Sequence, residues 1–248
     1  MNFDEGSFRD NAGRVIHHSN RIFRQVNKSG KERIDFFFKN DLYKKALENE
    51  YIIKSDILGK NDLKKYNFKE DSLIIEHEKI PYVSYPYEWS FYQLKEAALH
   101  HLNFHIYLLN NGATLIDSSA YNIQFIGSKP IFIDVLSVKE YKEGEYWYGH
   151  KQFCENFLNP LILSSKKGIQ FNNWFKGNLE GIATEDLNKI FNIFDKFSFN
   201  IFVHVYLLTK FENKYKNQNK KFDLNLKKKF PKKNFLFILN QLKAFINK

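Results

Sequence analysis

Apolar positions lie in short strand-like groups near the start of the chain and at helical spacing further on. Val15 and Ile16, then Ile22, Phe23 and Val26, flank the polar pair Ser19 and Asn20, which predicts two short strands over 13–26 joined by a tight turn. The polar stretch from Lys28 to Lys31 contains Gly30 and is expected to be a loop. From Ile34 to Ile57, the residues Phe37, Leu42, Ala46, Leu47 and Ile53 follow a helical period, with a break near Asn40 and Asp41 and with Asp41 as cap of a second helix. Leu73 to Ile75 is expected to form a short buried strand. Pro81 and Pro86 then hold an aromatic stretch extended. Ser90 is expected to cap a long helix from Phe91 to about Asn110, carrying Leu94, Ala97, Ala98, His101, Leu102 and His105 on one face and closed by Asn111 and Gly112.

Beyond that helix, a loop holding Asp117 leads into two strands, at 123–126 and 131–133, joined through Gly127 and Ser128. Helices are expected over 148–163, from a Thr184 cap, over 199–211 and over 234–246. A lysine-rich linker is expected between Glu212 and Pro231. These elements divide the chain into an N-terminal part, 1–86, a larger helical part, 87–211, and a basic tail with a last helix, 212–248.

Composition narrows the function classes. No apolar run is long enough to cross a bilayer, and the N-terminus lacks a basic segment followed by an apolar one. Cys154 is the single cysteine, so no internal disulfide can form; with the absent leader, this points to a reducing, cytoplasmic setting. The net charge of +10 is concentrated in the lysines of 210–233, without the aromatic interleaving of a nucleic-acid module, so nucleic acid is not the expected partner. All five arginines (Arg9, Arg14, Arg21, Arg24 and Arg33) precede residue 34, where forked donors suit phosphate or carboxylate as well as ordinary surface ion pairs. His101 and His105, one helical turn apart, lack an accompanying carboxylate pattern and read as core or helix-surface residues. Cys154, between Phe153 and Phe157, reads as packing.

The candidate chemistry lies in Asp117, Asn122 and Asp134. An acid precedes an asparagine by five positions, and a second acid ends the strand pair that follows. Phosphoryl transfer to a hydroxyl uses one carboxylate to orient the nucleophile, with an amide oxygen and another carboxylate holding Mg²⁺ at the phosphates. This spacing and strand context resemble the protein-kinase-like superfamily, including its small-molecule kinases. The resemblance implies an α+β, two-lobed fold with a small β-rich N-terminal lobe and a larger helical C-terminal lobe. It makes Asp117 the catalytic acid and Asn122 and Asp134 the metal ligands for Mg²⁺ and ATP. Arg24 would meet the phosphates with Glu48 or Glu50 as its ion-pair partner, and Glu88 in the aromatic connector would reach a ligand hydroxyl. The pattern also departs from that family: Leu115 stands where a histidine is usual, Val135 follows Asp134 where glycine is usual, and no glycine-rich phosphate loop precedes the first helix.

A second resemblance covers residues 8–165 and rests on the runs 86–91 (Pro-Tyr-Glu-Trp-Ser-Phe), 117–125 and 133–137. These look like the region preceding the methyltransferase domain in bacterial proteins assigned as S-adenosylmethionine-dependent methyltransferases, some linked to nodulation or surface-glycan modification. The chain has no glycine-rich turn of the kind that cofactor needs. Three readings follow: an ATP- and Mg²⁺-dependent phosphotransferase acting on a sugar or glycan intermediate, a noncatalytic kinase-like module partnering a separate methyltransferase, and a methyltransferase-related protein without its cofactor domain.

Overall fold

The computed structural model describes residues 2–4, 7, 11–39, 41–192, 201–207 and 230–248. The chain runs β1 (Asn2–Phe3), β2 (Gly13–His18), β3 (Arg21–Val26), α1 (Lys28–Lys39), α2 (Leu42–Glu48), β4 (Ser55–Ile57), α3 (Lys60–Lys65) and β5 (Leu73–His77). A 3-10 turn (Pro86–Glu88) precedes α4 (Phe91–Asn110), followed by β6 (Ala113–Leu115), a 3-10 turn (Ala120–Asn122), β7 (Ile123–Ile126), β8 (Lys129–Phe132) and β9 (Val138–Glu140). The remainder is helical: α5 (His150–Phe153), a π-wound segment (Cys154–Leu158), α6 (Asn159–Lys167), α7 (Asn172–Gly177), α8 (Thr184–Ile190), a second π-wound segment (Phe202–Leu207) and α9 (Lys232–Asn247). No described helix is long and apolar enough to cross a membrane.

Two compact units result: 1–83 with 124–140, and 84–123 with 141–248. The first is built on an antiparallel sheet in the order β1-β2-β3-β5-β4. Ser19 and Asn20 both take positive φ, as a two-residue turn matching strand twist requires. Strand alternation sends Phe23 to a cluster with Ile16, Leu63, Tyr66 and Ile74. Arg24, paired across the sheet with Val15 and Ile75, therefore faces the other side. Residues 124–140 rejoin this unit through Phe132, whose amide donates to the Tyr51 carbonyl at 3.1 Å while its carbonyl accepts from Ile53 at 2.9 Å.

Four local expectations are corrected. Lys28 to Lys31 is the first turn of α1, because Gly30 provides close contact there instead of a break. A Cβ on Gly30 would sit 2.7 Å from the Ala12 carbonyl oxygen. Asp41 precedes α2 in a left-handed conformation (φ 51°) and its side chain makes no capping bond; its carbonyl accepts from Lys45 instead. Ile53 and Ile57 lie beyond the helix, in β4 and the segment leading to it. In the second unit, Thr184 is the first residue of α8 after Ala183, and its hydroxyl accepts from Asn159 Nδ2 at 3.0 Å. The linker expected at Glu212–Pro231 lies outside the described residues up to 229.

The second unit forms around α4. Its capping box pairs Ser90 with Gln93, each side chain accepting from the other's backbone amide. The buried face carries Leu94, Ala97, Ala98, Leu102, Leu108 and Leu109, together with His101 and His105. Helix α9 supplies Phe235, Leu239, Leu242 and Ile246, all buried. Phe235 lies edge-on to His105 at 5.1 Å and stacks on Trp147 at 5.9 Å.

Candidate functional site

The expected site residues fall into two constellations, one in each unit. In the first unit Arg24 Nη1 donates to Asp134 Oδ1 at 2.5 Å, with side chains only 12% and 17% exposed. Asp134 sits at the head of a 3-10 turn (Val135–Ser137), so Oδ1 also accepts the Leu136 amide at 3.1 Å and Oδ2 accepts the Ser137 hydroxyl. Burial works against the Asp134 charge. The Arg24 guanidinium and the hydrogen bonds from Ser137, Arg24 and Leu136 outweigh it, holding the carboxyl below the usual carboxylate range.

The surroundings keep this pair in place. Arg33 Nη1 donates to the Leu136 carbonyl at 3.2 Å. A Cβ on Gly13 would lie 2.7 Å from the Gln25 carbonyl oxygen, 2.9 Å from a Leu136 methyl and 3.3 Å from Arg24 Nε, so glycine there lets the Asp134 turn approach the sheet. His77 shares the sheet face with Arg24 and bonds to Ser55 Oγ through Nδ1 at 2.8 Å. Burial, then the Arg24 charge, push its pKa down to about 4 despite the opposing pull of Asp134.

In the second unit the Asp117 loop is held by its neighbours. Asp117 Oδ1 accepts the Ser119 amide at 2.7 Å, and Ser119 Oγ accepts the Tyr121 amide at 3.2 Å. Two side chains from the helical segment beginning at α5 reach the loop backbone: Gln152 Oε1 accepts the Ser118 amide at 2.8 Å, and Asn156 Oδ1 accepts the Ala120 amide at 3.1 Å. Gly149 packs against the Ser118 side chain, where a Cβ would overlap it. Asn122 Nδ2 and the Tyr121 hydroxyl are buried with no hydrogen-bond partner among the described residues. Burial, then Tyr87 and Glu180, push the Tyr121 hydroxyl up to about 12.

The other expected site residues serve local structure. Glu50 follows α2 at positive φ, is exposed, and pairs with Lys129 at 2.7 Å; the carboxylate facing Arg24 is that of Asp134. Glu88 is exposed and accepts the Tyr85 amide at 2.8 Å. Arg21 pairs with Glu76 at 2.5 Å, Arg14 lies over the Phe3 ring, and Arg9 is outside the described residues. Sequence reasoning missed Ser137, Gln152 and Asn156. The i,i+4 spacing of Gln152 and Asn156 on one helical face was the only signal for that pair.

No family model matches the chain. It is similar to the nodulation protein NoeA of Rhizobium meliloti (strain 1021), with 38% identity over 245 residues, covering 98% of this chain and 50% of that protein. The chain thus spans about half the length of this relative. Among solved structures it shows a partial likeness to vaccinia related kinase 3, with a TM-score of 0.38 and 14% identity over 58% of this chain and 51% of that one. A likeness at that level does not define the fold, which stands as mixed helix and strand, with one five-stranded antiparallel sheet and two two-stranded sheets among the described residues.

Proposed function

We propose that the chain is a noncatalytic, kinase-like binding module that works beside a methyltransferase in modifying a sugar or surface glycan. The kinase-like element rests on the spacing of Asp117, Asn122 and Asp134 and on a strand cation, Arg24. The glycan and methyltransferase elements rest on the sequence resemblance and on similarity to half of a nodulation protein. One observation carries the noncatalytic reading: both oxygens of Asp134 are engaged, by Arg24, Leu136 and Ser137. A carboxylate that holds Mg²⁺ must present an oxygen to it at about 2.1 Å. Here three of the roughly four acceptor positions of the carboxylate are taken, and a guanidinium already supplies the positive charge that Mg²⁺ would bring, so in this reading Asp134 acts as an anchor for its own turn.

A second reading, an ATP- and Mg²⁺-dependent phosphotransferase acting on a small hydroxylated acceptor, is favoured by Asn122. Its amide nitrogen is buried with no partner among the described residues. Rotating that amide by half a turn would bring its oxygen, the atom a metal ligand must offer, to the same place. Incubating the full chain with labelled ATP, Mg²⁺ and a panel of sugars and glycan intermediates separates the two. The first reading expects no labelled acceptor and no thermal stabilisation by ATP or GTP with Mg²⁺. Labelled acceptor, lost in Asp117→Ala, would establish the second and overturn the first.

A further inference from the structure

Three ligand-type atoms meet in the second unit, on the helical segment that also holds the Asp117 loop and on a later one. His150 opens α5, Cys154 follows one turn later at the start of a π-wound segment, and His204 lies in the second π-wound segment. His150 Nε2 is 3.1 Å from His204 Nδ1 and 3.7 Å from Cys154 Sγ, and all three ligand atoms lie within 4.8 Å of one another. Cys154 and His204 are buried and His150 is mostly so.

We infer that His150, Cys154 and His204 form a three-ligand site for a thiophilic transition-metal ion, Zn²⁺ in particular. The spacing carries the inference. Zinc binds imidazole nitrogen at about 2.0–2.1 Å and thiolate at about 2.3 Å, so tetrahedral angles place two nitrogens about 3.3 Å apart and a nitrogen and a sulfur about 3.6 Å apart. The two observed edges are within a few tenths of an ångström of those values. One imidazole nitrogen lies at the apex of both, as a ligand would.

The chemistry agrees with the geometry. Each imidazole offers a ring nitrogen whose lone pair a metal can take when the ring is neutral. The mixed imidazole and thiol set suits zinc and excludes the hard cations Mg²⁺ and Ca²⁺, which take oxygen. Binding exchanges the Cys154 proton for the metal, releasing one H⁺ to solvent and leaving a zinc–thiolate bond. Three protein ligands leave a fourth position, for water or an exogenous donor. Cys154 and His204 both lie in π-wound segments, a local unwinding that recurs where helices present functional side chains.

The test uses the full chain, stripped by a chelator and titrated with Zn²⁺ against a competing indicator, then with Co²⁺ followed by absorption. The expected result is one ion per folded chain and, with Co²⁺, a thiolate-to-metal charge-transfer band with the d–d intensity of a tetrahedral site. Cys154→Ser should abolish the charge-transfer band, and His204→Gln should weaken Zn²⁺ affinity at least tenfold. If either variant fails to fold by circular dichroism, the wild-type cobalt spectrum decides alone. Absence of stoichiometric binding by the folded wild type, or a cobalt spectrum without thiolate character, would overturn the site.

Discussion

Replacing Asp134 by alanine removes the charge facing Arg24 and the acceptor for the Leu136 amide and the Ser137 hydroxyl. Breaking one side of a largely buried ion pair costs roughly 3–5 kcal/mol, because the remaining charge stays desolvated. Arg24 keeps some solvent access, 12% of its side chain, and has further contacts, so the expected loss is about 3 kcal/mol, the low end of that range. Arg24→Met should cost a similar amount by stranding Asp134. The pair Arg24→Met with Asp134→Leu fills much of the same volume without charge, and should lie well short of the summed single losses. A coupling of about 2 kcal/mol is therefore expected in a double-mutant cycle. Urea denaturation of the four proteins, followed by far-ultraviolet circular dichroism at neutral pH, measures it. Strict additivity, or an Asp134→Ala loss under about 1 kcal/mol, would refute the claim that this carboxylate is a structural anchor.

Three other outcomes follow from the packing and titration of the chain. Stability should fall steeply in mild acid, since His77 and His204 are held at about 4 and His101 and His150 at about 3, all depressed first by burial. Groups with depressed folded pKa values stabilise fully above the unfolded value of about 6.5 and lose that contribution as pH falls towards 4–3; metal-free chain whose thermal midpoint stays flat from pH 7 to 4.5 would contradict this. Gly149→Ala should destabilise by about 1–3 kcal/mol, because its Cβ would meet Ser118 and Trp147, whereas Gly59→Ala, with nothing within 4 Å, should be near neutral by the same melting assay. Ser137→Ala should raise the Asp134 pKa by removing a hydrogen bond to its charged form, read from the carboxyl resonance during an acid titration.

Much of the local structure was legible because single residues fix it. Ser19 and Asn20 specified their turn, Ser90 with Gln93 started α4, and Gly112 and Gly127, both at positive φ, follow α4 and join β7 to β8. The failures have a common cause: Gly30 and Asp41 were read by local propensity, while tertiary contact decides their conformations. The candidate site was legible as residue types and not as partnerships. Nothing local connects Arg24 to an acid 110 positions away, and a guanidinium with a phosphate role looks the same in sequence as one in an ion pair. His150, Cys154 and His204 were invisible for the same reason, since 50 residues separate the last two.

The most direct test of the central claim observes Asp134 itself. The chain is labelled with ¹³C-aspartate, the Asp134 carboxyl resonance is assigned by its loss in Asp134→Asn, and Mn²⁺ with ATP is titrated in. The account predicts that the resonance stays sharp while metal and nucleotide accumulate, because Arg24, Leu136 and Ser137 hold both oxygens. Selective paramagnetic broadening of Asp134 at stoichiometric Mn²⁺ and ATP would place a metal–nucleotide complex beside this carboxylate, and would contradict the noncatalytic reading.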